Sequence, residues 1–443
     1  VKPENFSRRK PGAKPPRSAK SERDTKPAPT ISPARDAAFY ILSKVMTSAA
    51  HSDDLLHSAA VNAMSPEDRN LATALVLGVL RWQLQLDAVL RPMLQHPDLE
   101  LHPAALLSLR LGLFQLLHMD RIPPHAAVHE SVELARAYGA AHAAAMVNAI
   151  LRRALREKAE PKRATLAVAL TPAEQAHPDW LLSRWRKHFG MAAARRIAEY
   201  DQQEPPVNAL FARDTTLPQI DDGSRLVAEL AAASVASPRR ILDCCAAPGG
   251  KTAVLAVRHP QAEIFACDMS AKRLEAMRTR MDRSETTRRV KTLMADMTDP
   301  SADTQRILQP GFDLILCDAP CSGTGTLARN PEIRFRLREI DLQRQAERQQ
   351  AILTQTLRLL APGGRLIYST CSLEPEENVN VIEGALRLVE AARLRDASSI
   401  LRAIPMQIAH DSVLAGEPGS HILRTLPGTV PCDGFFAAVF EHA

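Results

Sequence analysis

No uninterrupted apolar run in this chain approaches the ~20 residues that a membrane-spanning helix needs. The opening residues, Val1-Lys2-Pro3-Glu4, lack the apolar stretch of a secretory signal. Cysteine is sparse and odd in number, seven in 443 residues, which excludes a disulfide-stapled scaffold. No Cys-x-x-Cys pair occurs, and Cys317 and Cys321, four apart, have no His beside them, so no metal site is expected. No internal repeat is visible. What these absences leave is a reduced, cytoplasmic chain without membrane or metal. Hydrophobic residues at 45% and charged residues at 24% are ordinary for a globular protein. At roughly 100–200 residues per domain, the length suggests several domains.

The net charge of +6 is local. Residues 1–30 carry nine Lys and Arg against Glu4, Glu22 and Asp24, while the remaining 413 residues balance at 47 and 47. This stretch also holds six Pro and few bulky apolar residues. It cannot offset its ordering entropy and is expected to be a disordered basic tail. Such arms bind nucleic acid or simply solubilise, and both readings stand.

Residues 31–160 read as an all-α domain. Ser32-Pro33 and Ser65-Pro66 are helix starts with Pro at the first helical position. Ala38, Ile41, Leu42 and Val45 give the first helix one apolar face, and Leu71, Leu75, Gly78, Val79 and Trp82 do so for the second. A third helix is expected over residues 103–118, a fourth from about Ala126 after the Pro123-Pro124 break, and a fifth over residues 140–156. Arg152 and Arg153 on the last are either phosphate contacts or cations complementing the helix dipole. Residues 161–235 read as a connecting region with short helices, among them Leu181, Leu182 and Trp185 on one apolar side.

From residue 236 to 443 the grammar changes to alternating strands and helices, which predicts a mostly parallel sheet covered on both faces, an α/β Rossmann-like domain. Strands are expected at residues 241–243, 264–268, 290–294, 312–317, 365–368 and 434–440. An open sheet of this kind binds ligands at the carboxyl ends of its strands, and the distinctive residues cluster there. The first turn is Cys245-Ala246-Ala247-Pro248-Gly249-Gly250-Lys251. It fails the Walker phosphate loop, since Cys245 stands where Gly is required, and it fails the G-x-G-x-x-G fingerprint. A glycine turn without a phosphate signature suits a nucleoside lacking pyrophosphate. Asp268, Asp296 and Asp318 end the second, third and fourth strands. Asp268 is either a ribose ligand or a helix cap. Three carboxylates on one edge fit S-adenosylmethionine, whose sulfonium is cationic.

Cys321 and Cys371 lie just past two strand ends among small polar residues. A thiolate beside a methyl donor suggests covalent chemistry on a pyrimidine. Addition to C6 makes C5 enamine-like and nucleophilic, and a base then removes the C5 proton and the thiol leaves. Asp318 can stabilise the added ring, and Lys251 can lower a thiol's pKa or touch phosphate. Cys317, within its strand, reads as packing, and so does Cys244.

Three separated stretches, Asp243 to Thr252, Asp318-Ala319-Pro320-Cys321-Ser322-Gly323-Thr324-Gly325, and Ser369-Thr370-Cys371-Ser372 with Glu374-Glu376-Glu377-Asn378, resemble the RNA cytosine-5 methyltransferase family. Arg121-Ile122-Pro123, Val128-His129-Glu130 and Val147 to Arg153 resemble the NusB antitermination-factor family. The combination is similar to the bacterial Fmu/Sun type, which methylates cytosine C5 in small-subunit ribosomal RNA. The resemblance implies Cys371 as nucleophile and Cys321 as the group assisting product release. It implies that residues 245–251, Asp268, Arg273, Asp296 and Asp318 line the S-adenosylmethionine pocket, with Asp318 also meeting the target base. It implies RNA contact by the NusB-like domain and by the segment Arg329-Asn330-Pro331-Glu332. A monomer is expected. Only about 30 residues separate Asn208 from Ile241, fewer than in most such proteins, so a small RNA-contacting subdomain is expected to be trimmed. Two alternatives stay open: a non-catalytic RNA-binding assembly factor, and a cytosine-5 methyltransferase of transfer RNA.

Overall fold

The computed structural model describes residues 31–48, 50–96, 98, 100–159 and 170–442. The basic tail expected over residues 1–30 lies outside them.

The five longer helices of the amino-terminal bundle are Pro33–Thr47, Pro66–Leu90, Pro103–His118, Pro124–Ala137 and Ala144–Ala159. Four of the five open with Pro in the first turn, where its missing N–H is no loss. Pro124 therefore starts the fourth helix, two residues before the expected Ala126; the Pro-Pro pair is a start as well as a break. Ser65 accepts a capping bond from Asp68 N at 3.1 Å, but Ser32 does not cap. Its hydroxyl donates to Glu130 at 2.6 Å and ties the first helix to the fourth. Leu42, Leu75, Leu80, Leu109 and Leu113 are fully buried in the bundle core. Among the described residues, 66–93 is the one helical stretch long and apolar enough to cross a membrane; here Leu75, Val76 and Val79 pack inside the bundle.

The connecting region contributes Asp179–Phe189, and also Met191–Tyr200, a helix not expected from the sequence. Leu181, Leu182, Trp185 and Ile197 pack against Leu327 and Leu373, so this region belongs physically with the carboxyl-terminal half. Arg184 pins it there, donating to Glu374 at 2.7 Å and Glu376 at 2.6 Å.

The carboxyl-terminal half holds a nine-stranded sheet: β1 Arg240–Asp243, β2 Glu263–Asp268, β3 Lys291–Met294, β4 Phe312–Asp318, β5 Leu360–Thr370, β6 Ala392–Arg395, β7 Leu414–Ala415, β8 Ile422–Arg424 and β9 Phe436–His442. The order is β3-β2-β1-β4-β5-β9-β8-β7, with β6 also on β9. β1 to β5 are parallel, as the alternation of strands and helices requires. β6 to β9 pair antiparallel. Three of these, β6, β7 and β8, were not expected; they are two to four residues long, too short for a readable alternation. β9 runs opposite to β5. It brings its amino end, Gly434-Phe435, to the edge where β1 to β5 finish.

The two halves meet along the segment following the Cys321 turn. Glu332 accepts from Ser52 N at 3.0 Å and Ser52 Oγ at 2.9 Å. Arg336 donates to the carbonyls of Val45 and Ala50 at 2.9 and 2.5 Å. Arg81 donates to Ala328 O at 2.6 Å, and Arg334 to Arg81 O at 2.7 Å. Glu332, expected to face RNA, is instead buried in this junction.

Candidate active site

β1 and β4 are neighbours although two strands intervene in sequence, so the crevice at a topological switch point opens between them. The turn after β1 lies on one side of it. Ala246 N donates to Cys267 O at 2.8 Å, and Ala247 N to Asp268 Oδ2 at 3.3 Å, which folds the turn over β2. Gly249 has φ of 102°, a conformation that L side chains avoid, and a Cβ there would strike Met277 and Met281. Thr252 donates to the buried carboxylate of Asp243 at 2.7 Å and anchors the helix Gly250–Arg258 beneath. Burial raises Asp243 to about 7.

Asp268 is buried at the end of β2, with Oδ1 accepting from Ser270 N at 2.9 Å. The helix cap is Ser270, not Asp268, since Ser270 Oγ takes Arg273 N. Arg273 lies 3.3 Å from Asp268 and also donates to Ala247 O, so it braces the glycine turn. Asp296 stands two residues beyond β3, exposed, its carboxylate held below its usual range by the Thr298 hydroxyl and N–H. These carboxylates, the close backbone and the lack of a phosphate cradle fit a cationic nucleoside such as S-adenosylmethionine. Residues 245–250, Asp268, Arg273 and Asp296 would hold it.

Asp318 ends β4 and is fully engaged. Lys251 Nζ donates to Oδ2 at 2.6 Å, and Ser369 Oγ to Oδ1 at 2.8 Å. Burial alone would depress Lys251, but Asp318 outweighs it and holds the ammonium well above its usual range. Lys251 also lies over the Phe435 ring at 5.4 Å, and Cys371 is among the groups that raise it. The sequence left it free to meet a thiol or a phosphate; the structure commits it to Asp318.

Cys321 and Cys371 are brought together, Sγ to Sγ 3.3 Å. The hydrogen bond to Cys371, with burial, pushes the Cys321 thiol well up. Under the pair lies a carboxylate to which the sequence assigned no role. Glu377 accepts from Ser322 N at 2.8 Å, from Gln349 at 3.0 Å, and from the hydroxyls of Ser322 and Ser372. Burial raises its pKa despite those bonds. Asn378 accepts from Thr370 at 2.6 Å and donates to Ser372 O at 2.9 Å. The available signal was that the motif's Glu377 and Asn378 follow Cys371 closely; that each cysteine is followed by a serine sharing one acceptor is visible only in space. Cys317 and Cys244 are buried packing.

The expected RNA contacts are not gathered here. Arg152 and Arg153 are exposed on the helix Ala144–Ala159, bonded to Asn148 and Glu157 of the same helix at 3.0 and 2.8 Å. Arg329 is one-third exposed and ion-paired to buried Asp433 at 2.7 Å.

Comparison with known proteins follows the same division. Residues 233–441 match the family described as 16S rRNA methyltransferase RsmB/F, and residues 32–156 match the NusB family. Ribosomal RNA small subunit methyltransferase B of Xanthomonas campestris pv. campestris is 33% identical, over 93% of this chain and 97% of its own. The probable ribosomal RNA small subunit methyltransferase B of Bacillus subtilis is 30% identical, over 91% and 97%. The solved structure of PH0851 shares the fold at TM-score 0.69 and 20% identity, over 92% of this chain and 98% of that one.

Proposed function

Since the chain belongs to the RsmB/F family of ribosomal RNA small subunit methyltransferases, with a NusB family domain before the catalytic one, we propose that it methylates C5 of a cytosine in small-subunit ribosomal RNA through a covalent adduct at Cys371. The observation that carries this reading is the pair of free thiols 3.3 Å apart beside the Lys251–Asp318 pair. One thiol next to a carboxylate serves many chemistries; two sharing a hydrogen bond at a strand-end crevice serve addition and elimination.

Cys371 adds to C6 of the flipped-out base. Lys251 donates to Asp318 and aims it, so that its carboxylate accepts from the exocyclic amine of a cytosine and orients the ring over the thiol. S-adenosylmethionine, when bound, supplies an electrophilic methyl on a cationic sulfur, to which the enamine-like C5 responds. Cys321, hydrogen-bonded to the nucleophile beforehand, assists loss of the C5 proton and departure of Cys371. The base must leave its stack to reach the sulfur. The helical domain, through Arg152 and Arg153, is assigned the RNA. A monomer suffices, since turn, carboxylates, thiols and helical domain come from one chain, and the activity belongs in the cytoplasm with its substrate.

The test is transfer of labelled methyl from S-adenosylmethionine to unmodified small-subunit ribosomal RNA, with the site mapped by bisulfite sequencing. One methylated cytosine in that RNA is expected; label in transfer RNA alone, or none, overturns the reading.

A further inference from the structure

We propose that the cavity between the helical domain and the connecting region receives one unstacked base of the RNA substrate, a neighbour of the methylated cytosine; this rests on the RNA reading above. The cavity measures about 760 Å³, within the range of small-ligand sites. The helix Pro66–Leu90 lines it with Ala74, Arg81 and Trp82, the helix Pro103–His118 with Phe114 and His118, and the connecting region with Glu204.

Three of these are flat rings in near-parallel array. Trp82 stacks on His118 with centroids 4.2 Å apart and 22° between planes, and Phe114 lies 5.5 Å from the same imidazole at 24°. Bases taken out of a helix stack on such rings whatever their sequence. His118 Nε2 is buried and has no hydrogen-bond partner among the described residues. Burial, helped by Lys158, holds His118 down to about 4, so the imidazole is neutral near pH 7 and suits a base edge rather than a phosphate. Glu204 is exposed at the rim and offers acceptors for exocyclic amines.

The cavity adjoins the catalytic edge. Arg81 holds Ala328 O, and three residues earlier Gly325 N donates to Cys371 O at 2.9 Å. Gly325 and Ala328 are at most ~11 Å apart along extended chain, with the Arg81 side chain as the further link to the cavity wall. A base in the cavity and a base at Cys371 are thus assigned to one single-stranded run. This continuity, with rings and polar edges mixed in the lining, favours RNA over an apolar protein segment.

Ala74 is an exposed helix residue with only a methyl group facing this space, so Ala74→Trp fills the cavity without removing a contact. The full chain is titrated with unmethylated small-subunit ribosomal RNA in the absence of methyl donor. The expected result is RNA affinity about tenfold weaker for Ala74→Trp, wild-type affinity for Ala74→Ser, and wild-type S-adenosylmethionine binding in both as the control for folding. RNA bearing 4-thiouridine should cross-link, in the wild type, to peptides containing Trp82 or His118. Unchanged RNA affinity in Ala74→Trp, or cross-links confined to other peptides, overturns the proposal. Wild-type chain that binds RNA but does not methylate it would sink the catalytic reading while leaving the cavity's role standing.

Discussion

Cys321 Sγ stands 3.3 Å from Cys371 Sγ because the strands below them are locked in register. Asp318 at the end of β4 pairs with Ser369 near the end of β5, and both chains turn over the same edge within three residues. The separation is far beyond the ~2.05 Å of a disulfide; the pair is a contact of two free thiols. Glu377 then fixes both turns from beneath, through the serine that follows each cysteine.

Removing that carboxylate should therefore misplace both sulfurs at once. Glu377→Ala is expected to lower kcat by about 10²-fold, the scale of a 1 Å misplacement, while S-adenosylmethionine affinity stays at the wild-type value. Wild-type turnover in this variant would show that the two turns hold themselves.

Gly325 tests the packing of the same edge. A Cβ there would lie 2.2 Å from Gly434 O, and backbone on backbone cannot yield. Gly325→Ala is expected to cost about 1–3 kcal/mol and to lower the thermal midpoint and activity together, because Gly325 N holds Cys371 O. An unchanged melting curve would contradict the close approach.

At the junction, Glu332→Ala leaves the N–H and hydroxyl of fully buried Ser52 without their acceptor. The loss should be about 1–3 kcal/mol, read as faster proteolytic separation of the helical domain. Cleavage at the wild-type rate would mean the halves are joined elsewhere.

His118 gives a pH dependence of definite sign. Its pKa is about 4 in the folded chain, against an ordinary value of 6.5. Above ~6.5 both states are neutral and the group has no effect. As pH falls from there toward about 4, the unfolded chain takes up a proton that the folded one refuses, so stability falls. Between about pH 7.5 and about 5, the thermal midpoint of the wild type should drop further than that of His118→Phe; parallel curves would refute the assignment.

Much of this was legible in the sequence for physical reasons. The parallel half of the sheet was readable because β1, β2 and β4 are buried on both faces and their apolar runs end in carboxylates and glycine turns. The bundle was readable because prolines mark its helix starts. The short antiparallel strands were not, and Met191–Tyr200 was passed over although Ala194, Ile197 and Ala198 give it one buried face. Cys321 and Cys371 were picked out by their place after strand ends, but their contact depends on the Asp318–Ser369 register, which no local pattern encodes. Glu377 and Glu332 were hidden for the same reason: a carboxylate's partner lies across the fold, and an acidic residue in a turn looks solvent-facing until that partner is known.

The covalent step is tested most directly by mixing Cys321→Ala with unmethylated small-subunit ribosomal RNA and S-adenosylmethionine and running a denaturing gel. The account predicts a slow-migrating protein–RNA band that the further change Cys371→Ala abolishes, with Cys371→Ala alone inactive yet still binding S-adenosylmethionine. A band that persists without Cys371, or full turnover by Cys371→Ala, would contradict it.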